Sequence, residues 1–107
     1  MSVIWHNPRC SKSRETLALI AGYAPEIRLY LQDPPSLAEL RAAAELLGSA
    51  RALLRAREDG APSATASDDE VLTALAANPK LIERPLVLHR GRAALGRPPE
   101  AVLKLFA

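Results

Sequence analysis

The sequence predicts an α/β fold: a four-stranded mixed sheet flanked by helices, with a helical insertion between strands 2 and 3. Three observations carry that expectation. An apolar run, a helical pattern and an alternating run fill the first ~30 residues, the length of a βαβ unit. Two capping boxes, Ser36 with Glu39 and Ser67 with Glu70, then open helices in the middle of the chain. Finally, two short apolar runs flank His89-Arg90-Gly91-Arg92, the pattern of an antiparallel hairpin.

Taken in order, Val3-Ile4-Trp5 reads as a buried first strand ended by His6-Asn7-Pro8. From Ser13, the residues Leu17, Ile20, Ala21 and Ala24 follow a helical period that Gly22 and Pro25 stop. Ile27, Leu29 and Leu31 alternate with Arg28, Tyr30 and Gln32, so the aliphatic set is expected on the buried face of a second, parallel strand. Asp33-Pro34-Pro35 breaks that strand. Leu37, Leu40, Ala44 and Leu47 form the apolar stripe of the next helix, which ends at Gly48. Ser49 is expected to cap a short helix that places Arg51 and Arg55, four apart, on one face. Residues 58–67 read as a Gly/Pro/Ser/Ala loop.

The second capping box opens a helix with Val71, Leu72, Leu75 and Ala76, closed by Asn78-Pro79. Leu86-Val87-Leu88 and Ala93-Ala94-Leu95 form the hairpin strands. Pro98-Pro99 starts a last helix carrying Val102, Leu103, Leu105 and Phe106. This order fits one thioredoxin-like domain over residues 1–107, its helical insertion spanning approximately 36–78.

Composition narrows the function. At 107 residues, 49% hydrophobic and 24% charged, the chain can bury one core and is not disordered. A net charge of +2 is too mild to argue for nucleic acid or a membrane surface. No apolar run is long enough to span a bilayer, and the N-terminus has no leader pattern, so a cytoplasmic protein is expected. No surplus apolar face is evident, so the expected state is a monomer. A single cysteine excludes an internal disulfide. With two scattered histidines beside it, no metal site is expected, and no glycine-rich phosphate loop is present.

That cysteine, Cys10, lies in His6-Asn7-Pro8-Arg9-Cys10-Ser11-Lys12-Ser13-Arg14, between the first strand and the first helix. A helix N-terminus offers free N–H groups and partial positive charge, which favour a thiolate. Arg9, Lys12, Arg14 and His6 are expected to add positive potential, and Ser13 Oγ to donate a hydrogen bond to sulfur. Cys10-Ser11-Lys12-Ser13 has C-x-x-C spacing with serine in the second place. Any adduct on Cys10 therefore needs an external thiol to resolve it. Arg84 precedes Pro85 at the start of the third strand, a candidate cis peptide bond. Arg97 follows the fourth strand. Only convergence on Cys10 would turn Arg55, Arg84 and Arg97 into an oxyanion clamp.

The segments 6–17, Tyr30-Leu31 with Pro34-Pro35, Arg51 to Arg55, Asn78 to Pro85 and Gly96-Arg97-Pro98-Pro99-Glu100 resemble the ArsC-type arsenate reductases that use glutathione and glutaredoxin. The resemblance implies that Cys10 attacks arsenate while Arg55, Arg84 and Arg97 bind the oxyanion. It places His6, Asn7, Ser13 and Arg14 around the thiolate. Glutathione would then be a co-substrate, with no resident cofactor, and glutaredoxin the resolving partner. Ser11-Lys12 stands where better-known members carry Gly-Thr, which marks a separate branch, and loop 58–67 is shorter than usual. Two other readings share the fold: a glutathione-dependent thiol reductase, and an Spx-like regulator that binds RNA polymerase. Ser13 removes the redox switch such regulators carry, which ranks that reading below catalysis.

Overall fold

The computed structural model describes all 107 residues. They form two compact units, Met1–Asp33 with Arg84–Ala107, and Pro34–Glu83.

The first unit holds the sheet. Its strands are β1 (Ser2–Trp5), β2 (Glu26–Arg28), β3 (Leu86–His89) and β4 (Arg92–Leu95), in the order β2-β1-β3-β4. β1 runs parallel to β2 and antiparallel to β3, and β3 runs antiparallel to β4. This is the mixed, thioredoxin-like sheet the sequence predicts. The β3–β4 hairpin pairs His89 with Arg92 across Arg90 and Gly91, whose φ values of 49° and 74° suit the right-handed strand twist.

Register sets the core. Ile4 opposes Val87, and Val87 opposes Ala94, so the three form one row across the sheet. Ile20 from helix α1 (Ser11–Ile20) and Val102 and Leu105 from the C-terminal helix join that cluster. Each such aliphatic side chain contributes about 1.5–3 kcal/mol by leaving water. At its margin Phe106 stacks between Tyr23 and His89, with ring centroids 4.2 and 4.4 Å away.

The last helix stands where it is expected, over Pro99–Phe106, and is of the 3₁₀ type. Its buried residues Pro99, Val102 and Leu105 are three apart, the 3₁₀ period. Two expectations for this unit need correction. Helix α1 gives way to a 3₁₀ turn, Ala21–Tyr23, and the chain reverses at Ala24 with φ 50°, not at Gly22. Finally, the alternation expected over residues 27–32 is not kept: Ile27 and Leu31 are 50% and 43% exposed while Tyr30 is buried. β2 is a three-residue edge strand, and the turn that accepts at the Leu29 carbonyl breaks the alternation. The Arg28 guanidinium lies 5.8 Å from the Trp5 ring centroid and pairs with Asp33, which explains how a charged residue takes the inward position.

The second unit is helical. Ser36 and Ser67 each accept from the N3 amide and receive the N3 glutamate in return, which starts α2 (Leu37–Leu47) and α3 (Asp68–Ala77). Gly48, at φ 83°, ends α2. Leu40, Ala43 and Ala44 of α2 and Val71, Leu72 and Leu75 of α3 are buried where the two helices pack. A bridge between Leu54 and Ile82 ties the middle of the unit to its last residues.

The expected helix presenting Arg51 and Arg55 on one face does not form. Arg51–Leu53 is a single 3₁₀ turn and Arg55 lies beyond it. Arg51 donates to the carbonyls of Ser63 and Ala66, fastening the 58–67 loop, whereas Arg55 pairs with Glu58 at 3.1 Å.

Candidate active site

Cys10 is the N-cap of α1, in extended conformation, and its carbonyl accepts the Arg14 amide at 3.0 Å. The preceding loop is built from its own polar groups. Asn7 accepts the Cys10 amide through its carbonyl and the Arg9 amide through Oδ1. Asn7 N–H donates to Ser13 Oγ at 3.0 Å, and Arg14 Nη1 donates to the Pro8 carbonyl at 3.0 Å. The loop is thus fastened to the first turn of the helix at two points, which fixes the cysteine at the helix mouth.

His6 and Ser13 are both buried and share a hydrogen bond of 2.6 Å between Nδ1 and Oγ. Burial, and then the Arg14 charge, lower the His6 pKa, so the imidazole is neutral near pH 7. This corrects the expectation that His6 adds positive potential. Ser13 Oγ is likewise engaged by Asn7 and His6, and Ser13 reaches the sulfur through its backbone N–H. Lys12 turns outward to pair with Glu15 at 3.7 Å, and contributes its backbone N–H to the sulfur.

Two arginines come to Cys10 from the opposite end of the chain. Arg97 Nη2 lies 3.8 Å from Cys10 Sγ, and Arg97 Nε donates to the Arg84 carbonyl at 2.8 Å. Burial pushes the Cys10 thiol pKa up. The Ser13 N–H, the Arg84 charge, the Lys12 N–H and the Arg97 charge oppose it, and together they bring the pKa below its ordinary value. A thiolate flanked by guanidinium groups and backbone donors can act as a nucleophile toward an anionic electrophile. Arg55 belongs to the helical unit, where it holds Glu58 and the Lys80 carbonyl.

Both Arg84-Pro85 and Arg97-Pro98 are cis. The sequence singled out only the first. Two further residues escaped it. Thr16 is fully buried in α1 and donates to the Lys12 carbonyl at 2.8 Å. Gly96, buried between β4 and Arg97, donates to the Pro85 carbonyl at 2.9 Å. Neither carries charge, so no pattern of reactive residue types points to them.

Comparison with known proteins agrees with this architecture. The model of the ArsC family matches residues 5–105. Escherichia coli K12 protein YfgD, described as uncharacterized, is 47% identical over 95% of this chain and 93% of its own. The arsenate reductase of Neisseria meningitidis is 44% identical over 92% of each chain. Among solved structures, the arsenate reductase from Vibrio cholerae superposes with a TM-score of 0.89 at 44% identity, covering 97% of this chain and 96% of that one. With a family model running from Trp5 to Leu105 and such relatives over nearly the whole length, the chain belongs to the ArsC family.

Proposed function

We propose that the protein is an arsenate reductase in which the Cys10 thiolate attacks arsenate and an external thiol, glutathione, completes the reduction with glutaredoxin. The observation that carries this reading is the approach of Arg97 to within 3.8 Å of the only cysteine. A guanidinium there both favours the thiolate and matches a tetrahedral oxyanion with paired donors. The names of the Neisseria and Vibrio relatives supply the element.

In this scheme, sulfur bonds to As(V) and one arsenate oxygen leaves as water. Glutathione then attacks, As(V) gains two electrons and departs as arsenite. The electrons come from two thiol sulfurs, which finish as a disulfide that glutaredoxin reduces. Arg84 and Arg97 offset the negative charge that otherwise repels the thiolate from its anionic target. Arg55 is the third proposed oxyanion contact.

The test couples the purified protein to glutathione, glutaredoxin, glutathione reductase and NADPH. Arsenate-dependent NADPH oxidation, abolished in Cys10→Ser and reduced in Arg84→Ala, Arg97→Ala and Arg55→Ala, is the expected outcome. The lone thiol also suits a second reading, a reductase of protein–glutathione mixed disulfides. Silence with arsenate and turnover of a glutathionylated protein would select it.

A further inference from the structure

Five glycines serve this chain for different reasons. Gly48, Gly60 and Gly91 have positive φ and open space where a side chain would stand, and Gly22 also has nothing within 4 Å. Gly96 is the reverse case: its φ lies outside the left-handed region, and its neighbours leave no room. A Cβ there would fall onto Thr16 Oγ1, with Pro85 Cγ at 2.7 Å and Thr16 Cβ at 3.1 Å. Such separations lie inside van der Waals contact, so something has to move.

Each wall of this contact is tied to one member of the cysteine centre. Thr16 is on the helix that Cys10 caps, its hydroxyl committed to the Lys12 carbonyl. Pro85 follows Arg84, and Gly96 precedes Arg97. All three packing residues are buried, so the strain of an added methyl group cannot be released into solvent. It would part the Arg97 segment from α1 or from Pro85. The Arg97–sulfur separation of 3.8 Å is already near the outer reach of an N–H···S hydrogen bond.

We propose that Gly96 is a positioning residue for the Cys10 centre: its missing side chain lets the Arg97 segment close onto the helix capped by Cys10, with Thr16 as the wall. The role concerns charge placement at the thiolate and holds whatever oxyanion or adduct the thiolate meets. Arsenate turnover is therefore not its test.

The test compares alkylation rates of Cys10 by anionic iodoacetate and neutral iodoacetamide at a pH where the thiol is ionised. The rate ratio reads positive charge beside the sulfur, and general loosening of the fold does not mimic it. In Gly96→Ala with native near-UV circular dichroism, the ratio falls roughly three- to fivefold, as for a unit charge displaced by about 1 Å at an effective dielectric near 20. Adding Gly96→Ala to Arg97→Ala lowers it no further, and adding Thr16→Ala to Gly96→Ala restores most of it, since Pro85 Cγ can retreat by ring pucker. A folded Gly96→Ala with the wild-type ratio overturns the proposal, as does an equal fall in the Arg97→Ala background. If Gly96→Ala alone does not fold, Gly96→Ala with Thr16→Ala decides. A folded chain with the wild-type ratio supports the proposal. Failure to fold, or the Arg97→Ala ratio, overturns it.

Discussion

Arg97 bridges Arg84 and Cys10: its Nε donates to the Arg84 carbonyl at 2.8 Å while its Nη2 lies 3.8 Å from the sulfur. One guanidinium thereby holds the start of β3 and faces the nucleophile. Its planar fork makes both contacts possible at once, which a lysine ammonium on a flexible stem cannot reproduce.

Arg97→Ala removes both. The Cys10 alkylation midpoint moves up, because one of the two arginine charges opposing burial is gone. Under the proposed function, arsenate turnover falls by about 10²–10³, the loss typical of deleting one preorganised donor at a developing charge. Arg97→Lys recovers part of the thiolate shift and little of the turnover. Steady-state kinetics with pH-dependent alkylation separates the two effects.

Ser13→Ala leaves the Asn7 N–H and His6 Nδ1 without the hydroxyl that joins them. His6 is buried and Asn7 half-buried at the base of the cysteine loop, so the expected loss is about 1–3 kcal/mol of stability. Urea denaturation reads it as a lower midpoint with an unchanged slope.

The lowered His6 pKa makes stability depend on acid. The folded state holds His6 neutral below the pH at which the unfolded chain protonates it. The contribution is therefore complete above the ordinary histidine value of 6.5 and is lost as pH falls toward the folded-state pKa. Denaturation midpoints measured through that window decline in the wild type. In His6→Asn the decline is shallower.

In the helical unit, Ser36→Ala removes the hydroxyl that accepts the Glu39 amide at 3.1 Å. A cap of this kind contributes about 1 kcal/mol. Thermal denaturation followed by circular dichroism shows a lower midpoint, while the iodoacetate-to-iodoacetamide ratio at Cys10 is unchanged.

What the sequence revealed was mostly local. The two capping boxes, the β3–β4 turn and the cysteine at a helix mouth are each written in a few adjacent residues, and each stands in the structure. The failures arise where neighbours decide. Arg28 at the end of β2 and Tyr30 in the turn that follows take the inward positions because a cation–aromatic contact and a turn at Leu29 override the aliphatic alternation. Arg51 and Arg55 part company because the chain makes one 3₁₀ turn instead of a helix. The pairing of Arg97 with Cys10 spans 87 positions, and no spacing rule reaches that far. Gly96 was invisible for a related reason, since its value lies in the room Thr16 and Pro85 deny to a side chain.

The fold activates Cys10, and the presence of one cysteine makes that activation directly measurable. The rate of iodoacetamide alkylation is followed against pH in the native protein and in the same chain unfolded in urea. The native midpoint is expected below that of the unfolded chain, which lies near the free-thiol value of about 8.5. A native midpoint equal to or above the unfolded one contradicts the activation.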